Sequence, residues 1–205
     1  MNEYQQEQWQ AVWQIIRAKD ILNHVGNTQI TAEIQSYIEF RCVLTTFQKR
    51  HFGSFCSQRC FENQASACCS KDGIITFWAD HVINAYCSTR NQIDNLIKAI
   101  KEPHDSNKCI YLKPNGCVWK VTPLGCALFL CDSAQQVVFS NHSELKNDWI
   151  QFEHKAKGYR WPDHPVLFDW LEEVYLTAGC RSTLMYINTS PGLLKIKRQF
   201  EAGAY

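Results

Sequence analysis

Cysteine constrains this chain more than any other residue type. Eleven of its 205 residues are cysteine, and nine of the eleven fall between Cys56 and Cys131. An even spread would put about four in that window. Compartment decides what such a cluster does. Residues 1–8 carry no basic stretch followed by an apolar run, so no secretory signal is read there. No segment approaches the roughly 18 consecutive apolar residues of a membrane-spanning helix. The expectation is a cytoplasmic chain with reduced thiols, where dense cysteines bind metal more often than they form disulfides. An odd count also disfavours a disulfide framework.

Composition removes several function classes. Twenty-one Lys and Arg stand against twenty Asp and Glu, a formal charge of +1. That balance argues against nucleic acid or an anionic membrane as the main partner. The sequence has no Walker loop, G-x-G-x-x-G, H-E-x-x-H or G-x-S-x-G. A radical-SAM motif would need cysteine where Asn63 stands.

Helical periodicity flanks the cysteines. Trp9, Val12, Trp13 and Ile16 form one apolar stripe, broken at residues 23–27, with Asn27 or Thr28 placed to cap a second helix. Ile30, Ile34, Tyr37, Ile38 and Cys42 continue the period, which makes Cys42 a buried apolar thiol. Residues 51–55 are expected as loop. One long helix is expected from about Thr76 to Ile100, with Val82, Tyr86, Ile93, Ile97 and Ile100 inward, Cys87 in the core and Pro103 as the stop. Pro114-Asn115-Gly116 marks a small hairpin between Cys109–Leu112 and Cys117–Val121. Pro123 starts a short helix, Gln135–Phe139 suggests a strand, and Ser190-Pro191-Gly192 opens a basic tail. Val166, Leu167, Trp170, Leu171 and Val174 mark a last helix, with Pro165 in its first turn and Gly179 at its stop.

Two groups carry the chemistry. In the front group, Cys56 and Cys60 precede the pair Cys68-Cys69. In the back group, Cys109, Cys117, Cys126 and Cys131 follow at intervals of 8, 9 and 5. Thiolates a few residues apart converge on one metal when a loop returns their side chains to the same side. Four thiolates suit either an iron–sulfur cluster or tetrahedral zinc, and spacing alone does not choose. Phe55, Phe61, Trp119, Leu128 and Phe129 are the expected apolar shield.

Residues 55 to 132 resemble the YkgJ-type family of cysteine-cluster proteins, described as zinc- or iron-chelating and as Fe–S proteins. The resemblance rests on Cys56, Cys60 and Cys68-Cys69 in front, then Cys109 with Leu112, Gly116-Cys117, Pro123 and Cys126 behind. The front spacing is longer than the family's form, and the Cys117–Cys126 interval is one residue shorter. Thr122 stands where the family has arginine. The flagellin lysine methylase group shares related motifs, so the resemblance permits an enzyme. It implies an iron–sulfur cluster, [4Fe–4S] in type, with zinc as the alternative.

The expected fold is mainly α: a single domain of helices packed around an irregular cysteine-rich metal-binding segment with a small hairpin. Residues 1–52 and 136–205 are the helical flanks and 53–135 the metal-binding core. The expected ligands are Cys56, Cys60, Cys68, Cys69, Cys109, Cys117, Cys126 and Cys131. The expected function is structural or electron-transferring, with a protein partner. A cluster-containing modification enzyme and a zinc-stabilised interaction module are the alternatives. Glu62, His142, His154 and His164 are placed on the surface, His51 in a loop or cap, and Asp80-His81 on a solvated helix face.

Overall fold

The computed structural model describes residues 1–22, 24–56, 58, 75–103, 109–113, 116–140, 142–161, 163–164 and 166–203. Among these the chain is mainly helical. Helix α1 (Glu3–Ile21) opens on a capping box. Asn2 Oδ1 accepts from Gln5 N at 2.8 Å, while Gln5 Oε1 accepts from Asn2 N at 3.0 Å. Then come α2 (His24–Glu33), α3 (Gln35–Phe55), α4 (Trp78–Cys87) and α5 (Arg90–Lys101). A hairpin of β1 (Leu112–Lys113) and β2 (Gly116–Cys117) follows, antiparallel with Leu112 opposite Cys117 and Lys113 opposite Gly116. Gly116 takes φ 101°, which a side chain would resist. The chain continues through α6 (Leu124–Ala127), α7 (Asp132–Phe139), α8 (Ser143–Arg160), α9 (Leu167–Thr177), α10 (Tyr186–Thr189) and α11 (Pro191–Glu201). No helix among the described residues is long and apolar enough to cross a membrane.

Helix α4 sits at the centre. Every residue from Trp78 to Ala85 is buried, including Asp80, His81 and Asn84. One side of α4 meets α1 and another meets α9. Around it an apolar cluster joins Ile15, Ile30, Tyr37, Phe40, Phe52, Trp78, Phe168 and Tyr175, with Trp149 of α8 stacked on Phe47 of α3. A smaller cluster packs α1 and α5 against the hairpin through Val12, Leu96, Ile100, Cys109, Tyr111 and Trp119.

Several expectations are corrected. Trp13 is 46% exposed, because α1 turns Gln5, Gln8, Val12 and Ile15 inward instead. Trp9 and Trp13 stack on each other at the rim. Helix α2 begins at His24 and runs through Asn27, whose amide donates back to the carbonyls of Lys19 and Leu22. Cys42 is exposed, since the buried face of α3 runs Tyr37, Phe40, Arg41 and Leu44. Residues 51–55 are helix, with Phe52 locked between Phe139 and Trp149.

The expected long helix is two helices, α4 and α5. Thr89 forms a capping box with Gln92 and starts a new helix direction. Cys87, which closes α4, is half-buried rather than core. Residues 135–139 are helix, because Asp132 opens a turn that buries Ala134 and leaves Val137 in water. The basic tail is helix α11. Gly179 does stop α9, at φ 87°, and Cys180 is buried behind it. Thr89→Ala removes a cap at an exposed position and should cost about 1 kcal/mol. Urea unfolding reads that loss directly.

Candidate metal centre

Two cysteines of the back group, Cys109 and Cys117, lie at the hairpin, which packs against α1. Gln5 fixes this junction. Its Nε2 donates to the carbonyls of Ile100 and Glu102, at 2.7 and 2.8 Å, which pins α1 to the end of α5. Cys109 is 8% exposed and packs within the smaller apolar cluster, with Tyr111, Trp119 and Tyr4 around it. Cys117 closes β2 and is exposed. Cys126 is half-buried on α6.

Two tyrosines pack in the cluster that holds Cys109. Burial raises the Tyr4 hydroxyl far above its ordinary range. The Tyr111 hydroxyl opposes that rise, and the thiols of Cys109 and Cys126 add to it. Burial likewise raises Tyr111, whose other neighbours include Tyr4, Cys109 and Cys117. Cys109, Tyr111 and Tyr4 share one apolar cluster. Tyr4 was not singled out from the sequence. It sits more than a hundred residues from the nearest of these cysteines and carries no motif.

Behind the tyrosines runs a buried polar network. The Gln8 carbonyl oxygen accepts from Thr76 Oγ1 at 2.9 Å, from Tyr111 Oη at 3.2 Å, and from His81 Nε2 at 2.8 Å in the Nε2–H tautomer. The His81 ring lies 4.7 Å from Trp119, centroid to centroid. Burial pushes His81 down to about 3, so it is neutral at pH 7. The Asp80-His81 pair is thus deep in the core and not on a solvated face. A helix buried on all sides has no solvated face to offer.

Asp80 positions α6. Its carboxylate accepts from Phe77 N at 2.9 Å and from Leu124 N at 3.0 Å. Burial pushes Asp80 up to about 6, against the pull of those two N–H groups and of Arg41 and Arg160. Two further bonds tie this stretch to α3. Gln48 Nε2 donates to Ala127 O at 2.7 Å, and Arg41 Nη2 donates to Thr122 Oγ1 at 2.8 Å. A guanidinium thus stands beside Thr122, delivered from α3. Asn84 Oδ1 accepts from the backbone N–H groups of Lys120 and Val121 and fixes the strand leading to α6.

The remaining expected ligands divide. Cys56 caps the end of α3, and Cys131 precedes α7; both pack on the main core. Cys60, Cys68 and Cys69 lie outside the described residues, as do Glu62 and Phe61. The backbone returns at Ile75, whose carbonyl oxygen lies 3.4 Å from where a Cβ on Gly125 would stand, next to Cys126. Among the described residues, no three His, Cys, Asp or Glu side chains converge as a metal site.

Of the expected shield, Trp119 is buried and Phe55 and Leu128 are partly so, but Phe129 is 50% exposed. His51 is helical and rests on Phe47. His142, His154 and His164 are exposed, as expected. An open cleft of about 460 Å³ adjoins Cys117, lined by Lys98, Glu102 and Lys113, with Lys113 Nζ 2.8 Å from Glu102 Oε2.

Comparisons with protein-family models, with curated proteins and with solved structures give no match for this chain.

Proposed function

We propose that this chain is a cysteine-ligated metal protein whose two thiol groups share an iron–sulfur centre of [4Fe–4S] type, in a structural or electron-transferring role. The placement of Cys109 in the apolar cluster beneath the hairpin that ends in Cys117 carries the proposal. Those thiols do not close a site among the described residues, so the front group has to complete it. Chain length permits that. Cys60 is four residues from Cys56 and Cys69 is six from Ile75. At about 3.5 Å per residue these tethers reach roughly 14 and 21 Å. The second tether starts beside Cys126.

A bound cluster would supply one-electron chemistry, and a zinc ion would supply none. The protein's own part is to hold thiolates in place and to exclude water. Cys109 does this from within an apolar cluster. A modification enzyme is the second reading, favoured by the open cleft beside Cys117 with Lys98, Glu102 and Lys113 in its lining.

The test is anaerobic purification with iron, sulfide and zinc analysis. About four iron and four sulfide per chain, with visible absorption that dithionite bleaches, is the expected result. Stoichiometric zinc without colour turns the proposal to its zinc form. No metal of either kind overturns it. Cys126→Ser should lose most of the bound metal, whereas Cys42→Ser, at an exposed site, should keep it.

A further inference from the structure

Helix α11 buries none of its eleven residues. Leu193 rests on the main core, while Phe200 at the far end is exposed. Its neighbour in the fold is α10, the short helix just before it. A helix of this length is marginal alone in water, so its place depends on what ties it down. The tie is Lys197, whose side chain is 16% exposed. Its ammonium donates to Asp169 Oδ1 at 2.7 Å, to Asn188 Oδ1 at 3.2 Å and to a carboxylate oxygen of Glu173. That uses all three of its N–H groups.

The acceptors are themselves held. Asp169 and Glu172 are buried on α9. Glu172 Oε2 accepts from Asn188 N at 3.1 Å and from Asn188 Nδ2 at 2.8 Å, and Asn188 Nδ2 also lies 3.3 Å from Asp169 Oδ1. With its NH2 committed to carboxylates, the Asn188 amide presents its oxygen to Lys197. Two carboxylates of α9 and one amide of α10, braced by Glu172, thus close on one cation of α11.

We propose that α11 is a strap latched by Lys197, which opens as a unit while α4 and α9 stay folded. Ser190 separates α10 from α11 with extended backbone, φ −72° and ψ 121°, and Pro191 opens the helix, so the turn needed for opening falls there. Apolar burial adds little along α11, which leaves the ion pairs to decide whether it docks. Glu173 is half-exposed, so salt weakens its part of the latch. Opening bares the Asp169 carboxylate. It also frees Leu193, Ile196 and Phe200, which share one side of α11 at i, i+3 and i+7, the spacing by which a helix anchors in a groove. None of these residues is an expected metal ligand, so the strap stands or falls apart from the metal-centre reading.

The test is hydrogen–deuterium exchange of the full chain, read by mass spectrometry, with Lys197→Gln and Lys195→Gln beside wild type. Lys195 is an exposed cation of the same helix. Lys197→Gln should speed exchange of the α11 amides about tenfold and leave α4 and α9 as in wild type. Lys195→Gln should leave α11 unchanged. Raising salt from about 0.05 to about 0.5 M should speed α11 in wild type and not in Lys197→Gln. Unchanged α11 exchange in Lys197→Gln, or an equal salt response in both proteins, overturns the latch. Faster exchange spread over α4 and α9, or a Lys197→Gln chain that does not fold, overturns the strap, because the ion pairs then hold the whole fold.

Discussion

Asp80→Ala should destabilise the protein by about 3 kcal/mol or more and lower its melting temperature by roughly 6–12 °C for a chain of this length. Two backbone N–H groups, of Phe77 and Leu124, lose their acceptor. An orphaned buried donor costs about 1–3 kcal/mol. Alanine also removes a negative charge whose field reaches the buried Arg41 guanidinium. Asp80→Asn separates these effects. Its single carbonyl oxygen keeps one N–H bond, and its neutrality removes the cost of burying a charge. The asparagine variant should therefore lose less than half of what the alanine variant loses. Equal losses would show that charge, and not the paired N–H bonds, is what Asp80 contributes.

The effect should reach the proposed metal centre. Helix α6 is four residues long, too short to hold itself, and it carries Cys126. Asp80, Gln48 and Arg41 hold the stretch from Thr122 to Ala127. If the proposed centre holds metal, Asp80→Ala should release it faster than wild type at temperatures well below its own unfolding.

The sequence shows some of this and hides the rest for identifiable reasons. The hairpin at Gly116 and the stop at Gly179 were legible because glycine at positive φ leaves a signal at one position. The mainly helical class was legible because apolar residues recur at the helical period. Which face those helices bury was less so. In α1 the two tryptophans drew the stripe, yet glutamines face inward, because Gln8 answers three donors and Gln5 two carbonyls. Buried polar residues invert the simple pattern wherever their partners come from distant segments.

Helix α8 shows the opposite difficulty. Of its eighteen residues only Trp149 and Ala156 are buried, so it carries almost no stripe to read. The break between α4 and α5 was present as Thr89-x-x-Gln92 but lay under a continuous apolar pattern. The cysteine groups were visible in the sequence as clusters. Tyr4 was not, because only packing of α1 on the hairpin brings it to Cys109.

The second large effect is on pH dependence, where buried groups pull in opposite directions. His81 ionises at about 3 when folded and near its ordinary 6.5 when unfolded. Its contribution is fully present above pH 6.5 and is lost as pH falls toward 3. A gap of more than three pH units is on the order of 4 kcal/mol. Asp80 and Glu172 behave the other way. Burial raises them to about 6 and about 7, from 3.8 and 4.5. Their contributions are present in acid and are lost as pH rises through those raised values.

Between pH 7 and pH 4.5 the two carboxyl gains together exceed the histidine loss, so the wild type should gain stability on the order of 2 kcal/mol. His81→Gln removes one side of that balance and keeps an amide able to face Gln8. Its stability should rise relative to wild type as pH falls, by about 3 kcal/mol over this window. Acid release of the proposed thiolate-bound metal would weaken both proteins alike and leave the difference intact. Guanidinium unfolding at pH 7, 6, 5 and 4.5 gives the two curves. Parallel curves would mean that His81 takes up its proton in the folded protein as readily as in the unfolded chain.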